Sequence, residues 1–438
     1  MAALLGHDDQ TLTRVPDQAR HPWLSVATQR FGQTSALSQL LLGATLGFGM
    51  EFWDAFLALT IGAVLLNVLA IAVGVIGQRE GLPTAVLSRW TGFGHAGSAV
   101  LGLVVALAAT GWFGVQTGLA GVALAGVAGL PAPVWSLVFG LAVTVIAAFG
   151  VRWRAWTAYL TVPAYLLLVF WVVHANVADV PAAVAAPAPG PGIGLPTAVT
   201  LVVGSFVLGA AIAPDTTRFN RSTADVVKQT VLGVTAGQWV AGCAGVLLAH
   251  GLGTTDVMGA VSRSGGWVGV LVVVAVVLKV NDWNLRSASL GLGNFFDAVF
   301  DRRISRAQVT VVAGCAGSFL AAAGILHQFT HFLVLLGVVF PPVAGIMIAE
   351  YYVVRRWRNE IISTRPRVPR SAPSWVPATV VIWPASAVVG ELVPFGQPSV
   401  NALLLAFALY VSAGRLDLLR MRCRRATNRR VAGEATAV

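Results

Sequence analysis

The sequence predicts an all-α polytopic membrane protein of twelve transmembrane helices. Three observations predict it. Of 438 residues, 56% are hydrophobic and only 11% are charged, where a soluble chain carries about 25% charged residues; mean hydropathy is +0.77. The apolar residues gather into twelve segments of membrane-spanning length. The basic residues fall almost entirely into alternate connections between those segments.

Residues 1–30 are polar and hold no apolar run of signal-peptide length, so the first apolar segment is expected to act as an uncleaved insertion signal. That segment, 34–50, opens with Gln33, Thr34, Ser35, Ser38 and Gln39 and continues through Gly43, Gly47 and Gly49. Segments 54–77, 96–124, 132–150 and 155–175 follow. A connector rich in proline, glycine and alanine, 181–196, is expected to stay non-helical. Beyond it lie 195–213, 227–251, 267–296, 308–325 and 328–351, then two shorter, proline-interrupted segments at 374–392 and 399–414.

With the N-terminus inside, 26 of the 29 basic residues lie on the cytoplasmic side. These include Arg14, Arg20 and Arg30, the loop pairs Arg79/Arg89 and Arg152/Arg154, Arg302 and Arg303, Arg370, and the tail arginines. Arg263 falls outside, and Lys279 and Arg286 fall within a span. Both termini are therefore expected in the cytoplasm. The net charge of +11 reads as topology and contact with anionic lipid, not as a nucleic-acid footprint. Cys243, Cys315 and Cys423 are scattered, with neither disulfide nor metal spacing. No catalytic constellation is visible, so neither an enzyme nor a cofactor is expected.

The connector divides the first ten spans into five and five, with two appended. Residues 1–33 form a cytoplasmic segment and 34–414 the membrane domain. Within it, repeat one covers about 34–175, repeat two about 195–351 and the appended helices about 374–414; 415–438 is a basic cytoplasmic tail. Five plus five is the arrangement of inverted-repeat transporters, in which the first helix of each half is broken and solute binds beside the breaks. The polar, glycine-bearing start of span one and the Gly204-Ser205-Phe206, Gly209 and Pro214 run of span six are the candidate breaks. The same glycines equally suit close helix packing.

Two segments carry chemistry. In span three, Trp112 and Gln116 are four apart and share a face; the indole suits stacking on a planar heterocycle and the carboxamide suits its N–H and C=O groups, or the pair serves helix packing. In span eight, Lys279, Asn281, Asp282, Asn284 and Arg286 interrupt apolar sequence. Each charge at bilayer depth costs about 2.5–3.5 kcal/mol on insertion scales. The cluster handles a solute or ion, or it neutralises itself within the helix. Gly92, Gly94 and Gly97 match a dinucleotide fingerprint but follow no strand.

Taken together, several segments resemble the purine/cytosine permease family of nucleobase:cation symporters, and cytosine permeases in particular. They are Gly43-Ala-Thr-Leu-Gly47, Gly74-Val-Ile-Gly77, Gly81 to Arg89, Phe93-Gly94, Gly111-Trp-Phe-Gly-Val-Gln116, Gly204-Ser-Phe206, Pro214-Asp-Thr-Thr-Arg-Phe219 and Asn281-Asp-Trp-Asn-Leu285. The resemblance implies a leucine-transporter-type inverted repeat with two extra helices. It implies a base held between Trp112 and Phe206, with polar contacts from Gln116, Ser205, Asn281 and Asn284. Sodium-coupled members carry paired hydroxyl residues just before the first asparagine; here Lys279 and Val280 stand there, and neither ligates a cation. The resemblance therefore implies import of a cytosine-like heterocycle across the cytoplasmic membrane without sodium. Lys279, with Asp282 nearby, would be a built-in cation or a proton site. A hydantoin, allantoin or thiamine-precursor pyrimidine is the alternative substrate, and an uncoupled facilitator the alternative mechanism.

Overall fold

The structure is a computed structural model that describes residues 14–149, 154–300, 304–369, 371–419 and 423–425. Residues 1–13 of the N-terminal segment, Gly150 at the end of the fourth segment, Arg152, Arg302, Arg303, Arg370 and most of the basic tail lie outside the described residues.

The first apolar segment is two helices, α1 (Trp23–Thr34) and α2 (Leu37–Gly49), broken at Ser35 and Ala36. Next come α3 (Phe52–Glu80), the single turn α4 (Thr84–Leu87), α5 (Gly94–Ala128), α6 (Ala132–Phe149) and α7 (Arg154–Asn176). Short α8 (Val180–Ala185) precedes α9 (Leu195–Ala211), which breaks at Ile212 and Ala213 before α10 (Pro214–Thr217). Helix α11 (Thr223–Thr230) opens on a capping box of Ser222 and Asp225 and runs through a π-helical turn, Val231–Ala236, into α12 (Gly237–Leu252). Helix α13 (Val257–Phe300) bends at Gly266, whose φ of 52° and ψ of −147° suit only glycine. Then follow α14 (Arg306–Ala322), α15 (Phe329–Val339), α16 (Pro341–Ile348) and α17 (Arg358–Ser363). Strand β1 (Ser371–Pro373), α18 (Pro377–Leu392), α19 (Pro398–Arg415) and strand β2 (Cys423–Arg425), antiparallel to β1, complete the order.

Among the described residues six helices are long and apolar enough to cross a membrane: Phe52–Glu80, Gly94–Ala128, Ala132–Phe149, Thr223–Leu252, Val257–Phe300 and Ile325–Val354. Shorter apolar helices include Leu37–Gly49, Leu195–Ala211, Arg306–Ala322 and Pro377–Leu392. The main packings are α5 on α13, α6 on α14, α2 on α12 and α3 on α9. Glycine sets one of these distances, that of α2 on α12. A Cβ at Gly43 would strike the backbone of Gly242, and one at Gly47 would meet Val246 at 2.7 Å. Gly204 likewise lies against the Leu333 carbonyl of α15. These glycines therefore serve close packing; in the second broken helix the break itself falls later, at Ile212.

Two expectations need correction. Helical structure starts at Trp23, ahead of the expected boundary at 34, because Arg30 and Thr34 on α1 are buried against the π-helical turn. The Thr34 hydroxyl donates to the Gly233 carbonyl at 2.6 Å, so α1 satisfies its polar groups inside the protein. The connector also holds a helix. Asp179 caps α8 by accepting from the Ala182 N–H at 3.0 Å, and Pro181 sits in the first turn, where its missing N–H costs nothing. Gly190 and Ile193 then donate to Phe48 and Gly49 at 2.7 and 2.8 Å, tying the connector to the end of α2.

Candidate functional site

Between the two breaks lies a cavity of about 60 Å³. It is lined by Gln33, Ser38 and Gln39 of α1 and α2, and by Ser205, Phe206, Leu208, Gly209 and Ile212 of the second broken helix. Trp112 and Gln116 of α5, and Val280, Trp283, Asn284 and Ser287 of α13, complete the lining. A cavity of ~150 Å³ admits benzene; in this conformation a ring enters only as lining side chains move.

The cavity is built from aromatic faces and carboxamides. Trp112 is held edge-on by Phe332 of α15, with ring centroids 5.3 Å apart. Phe206 lies over Gly209, where an added Cβ would approach its ring to 2.7 Å. Gln116 donates its Nε2 to the Ser38 hydroxyl at 2.8 Å, and Gln39 donates its own to Ser205 at 3.0 Å. The Oε1 atoms of Gln39 and Gln116 are buried and find no partner among the described residues. A buried acceptor left unsatisfied costs about 1–3 kcal/mol. Water or the N–H of a guest can satisfy such acceptors.

Ser205 lines the cavity, but its hydroxyl is already engaged. It donates to the Val202 carbonyl at 2.7 Å and accepts from Gln39 and from Gln238 of α12, the latter at 3.1 Å. One donor and two lone pairs are a hydroxyl's whole capacity. Ser205 therefore orients Gln39 instead of offering a free contact.

The polar cluster of α13 divides by helical face. Val280, Trp283, Asn284 and Ser287 form the stripe toward the cavity. Asn281 lies off the lining, fully buried against α5, where its Nδ2 donates to Thr117 Oγ1 at 2.9 Å and to the Phe113 carbonyl at 3.3 Å. Its Oδ1 accepts from Asn284 Nδ2 at 3.1 Å. Asn281 thus ties α13 to α5 and sets the orientation of Asn284. Lys279 and Asp282 also lie off the cavity lining. The Lys279 ammonium sits against Gly32 in the last turn of α1, so close that a Cβ on Gly32 would collide with it. A helix C-terminus carries partial negative charge and favours a cation.

Five of the eight residues expected at the site (Trp112, Gln116, Ser205, Phe206 and Asn284) meet at the cavity. Gln39 and Trp283 join them without having been assigned there. Trp283 was within reach of the sequence, standing three after Val280 and four before Ser287 on one helical stripe. Gln39 was visible only as polarity at the start of a span.

Comparison with known proteins agrees with this picture. Residues 14–395 match the model of a family described as permease for cytosine/purines, uracil, thiamine, allantoin. The chain is 27% identical over 419 residues to the cytosine permease of Escherichia coli (strain K12), covering 92% of this chain and 97% of that protein. It is 25% identical over 380 residues to the hydantoin permease of Microbacterium maritypicum, covering 79% and 76% of the two chains. Its fold is similar to the inward-facing conformation of Mhp1, with a TM-score of 0.79 at 20% identity over 94% of each chain. It is also similar to Mhp1, a nucleobase-cation-symport-1 family transporter, in a closed conformation with bromovinylhydantoin bound (TM-score 0.75, 20% identity, 93% and 95% covered).

Proposed function

The chain belongs to the family of permeases for cytosine/purines, uracil, thiamine and allantoin, and on that premise we propose that it imports a cytosine-like nucleobase across the cytoplasmic membrane by alternating access, without sodium. A nucleobase–cation symporter of this kind is a multi-pass membrane protein, and the apolar helices accord with that. The observation that carries the substrate reading is the pairing of two aromatic faces, Trp112 and Phe206, with two buried carboxamide oxygens that lack partners, on Gln39 and Gln116. A planar ring bearing N–H donors satisfies both at once. The cytosine permease relative favours a cytosine-like ring, and the hydantoin permease relative keeps a hydantoin as the second candidate.

Twelve crossings in a five-plus-five arrangement, with both termini inside, complete the proposal. The packing supports it. Numbering the spans from α1–α2 as the first, exchange of the halves turns the first-on-seventh contact (α2 on α12) into the sixth-on-second contact (α9 on α3). The same exchange leaves third-on-eighth and fourth-on-ninth (α5 on α13, α6 on α14) unchanged. Freedom from sodium rests on Lys279, whose ammonium lies at the end of α1 and supplies a positive charge there without an ion. The proposal is tested by uptake of labelled cytosine, uracil, adenine, allantoin and a hydantoin into proteoliposomes, each under a sodium gradient, a proton gradient or neither. Accumulation of a nucleobase under the proton gradient is expected. Accumulation of none of the five contradicts the substrate reading.

A further inference from the structure

Arg30 stands at the edge of this site with no role in the reading above. It is 2% exposed, and a guanidinium held out of water is costly unless its charge is answered. Its Nη1 donates to the Gly209 carbonyl at 3.0 Å and its Nη2 to Thr216 Oγ1 at 2.9 Å. Its Nε finds no partner among the described residues. Gly209 and Thr216 lie on opposite sides of the break at Ile212 and Ala213, one on α9 and the other on α10. The guanidinium carbon also lies 5.5 Å from the centroid of the Phe206 ring, within cation–π range. Phe206 is itself pinned over Gly209, the residue whose carbonyl Arg30 holds. Room for Arg30 is made by Gly233 of the π-helical turn, where a Cβ would come within 2.8 Å of the Arg30 side chain. One side chain of α1 thus grips both ends of the second break and an aromatic wall of the cavity.

We infer that Arg30 is a positioning residue: its guanidinium fixes the Phe206 ring for the base and links that ring to the placement of α1 against the second break. The inference rests on the reading of Phe206 as a stacking surface. Helix α1 cannot move away from α9 and α10 without withdrawing the cation from the ring. Ring stacking and α1 displacement are therefore coupled, and whatever favours one arrangement of α1 favours one state of the ring. Lysine in place of Arg30 keeps a cation and three donors but loses the rigid planar fork that spans the Gly209 carbonyl and the Thr216 hydroxyl.

The test is a double-mutant cycle on ligand affinity, using whichever of cytosine, uracil, adenine, allantoin or a hydantoin the purified wild-type protein binds best. Arg30→Met is expected to weaken binding about 2- to 30-fold, the span of a partly to fully desolvated cation–π contact, and to have no further effect in a Phe206→Leu background. Equal losses in both backgrounds overturn the inference while leaving the substrate reading intact. A wild-type protein that binds none of the five overturns both. Arg30→Gln, which also removes the cation, replaces Arg30→Met in the same cycle if that protein is not recovered, and Arg30→Lys is a separate variant. It is expected to keep binding within about threefold yet slow maximal uptake. Unchanged maximal uptake in Arg30→Lys overturns the link to α1.

Discussion

The two helix breaks flanking the cavity begin alike, at Ser35 (φ −92°, ψ 38°) and Ile212 (φ −95°, ψ 22°), then part, Ala36 being extended and Ala213 helical, and they differ in the cation each one meets. At the first, Ser35 and Ala36 separate α1 from α2, and the Ala36 carbonyl accepts from the Tyr165 hydroxyl at 3.2 Å. Lys279 reaches this break from α13, presenting a half-buried ammonium to the last turn of α1. At the second, Ile212 and Ala213 separate α9 from α10, and Arg30 reaches it from α1 with two hydrogen bonds at 3.0 and 2.9 Å. An ammonium is a compact point charge able to exchange partners or a proton, whereas a guanidinium is a permanently charged fork. The first break thus meets an ammonium and the second a guanidinium, and the proposed coupling role of Lys279 rests on that difference.

The largest effect expected from disturbing this contrast is at Lys279. Lys279→Met leaves the end of α1 without a cation and is expected to abolish accumulation of solute above its external concentration, with folding retained in a thermal-unfolding assay. Lys279→Ser combined with Val280→Thr restores a pair of hydroxyls at the same place and is expected to make uptake respond to sodium. Full accumulation by Lys279→Met would remove the lysine from the coupling account.

Trp112→Ala removes the proposed stacking surface that α5 contributes to the cavity. Binding is expected to weaken by about 1–3 kcal/mol, read as a 5- to 150-fold rise in Kd. Unchanged affinity would take Trp112 out of the site.

A pair of glycine substitutions compares the breaks directly. A methyl at Gly32 meets the Lys279 ammonium, and a methyl at Gly209 meets the Phe206 ring at 2.7 Å. Overpacking of this kind costs about 1–3 kcal/mol. Gly32→Ala is expected to lower uptake while sparing equilibrium binding; Gly209→Ala is expected to lower binding. The reverse assignment, measured by ligand titration beside uptake, would show that the breaks have been confused.

The smallest effects separate the two asparagines of α13. Asn281→Ala removes the ties to Thr117 and the Phe113 carbonyl, and interhelical hydrogen bonds in membranes average about 0.6 kcal/mol. It is expected to lower the unfolding temperature more than Asn284→Ala does. Asn284→Ala is expected to raise Kd a few-fold, about 0.5–1.5 kcal/mol.

Much of this architecture was legible in the sequence because the bilayer imposes it: long apolar runs become helices, which satisfy every backbone group within one segment in lipid. The aromatic and carboxamide pair Trp112 and Gln116 was legible through helical spacing alone. What was hidden depended on partners distant in sequence. Helix α1 tolerates its polar residues because the second broken helix accepts from both Arg30 Nη atoms and the Gly233 carbonyl accepts from Thr34, partners that the local sequence around Arg30 does not show. The family resemblance implies Asn281 and Asn284 alike as solute contacts, yet the boundary between the cavity face and the α5 face runs between them. Gln39 is a site residue because the Ser205 hydroxyl, which also accepts from Gln238, accepts from its amide.

The central claim is that a nucleobase crosses here with Lys279 in the place of a coupling ion. It is tested most directly by the initial rate of labelled cytosine uptake into proteoliposomes with sodium fully replaced by choline, at fixed membrane potential and fixed pH. The account predicts the same rate in both media. Uptake that vanishes without sodium would contradict it.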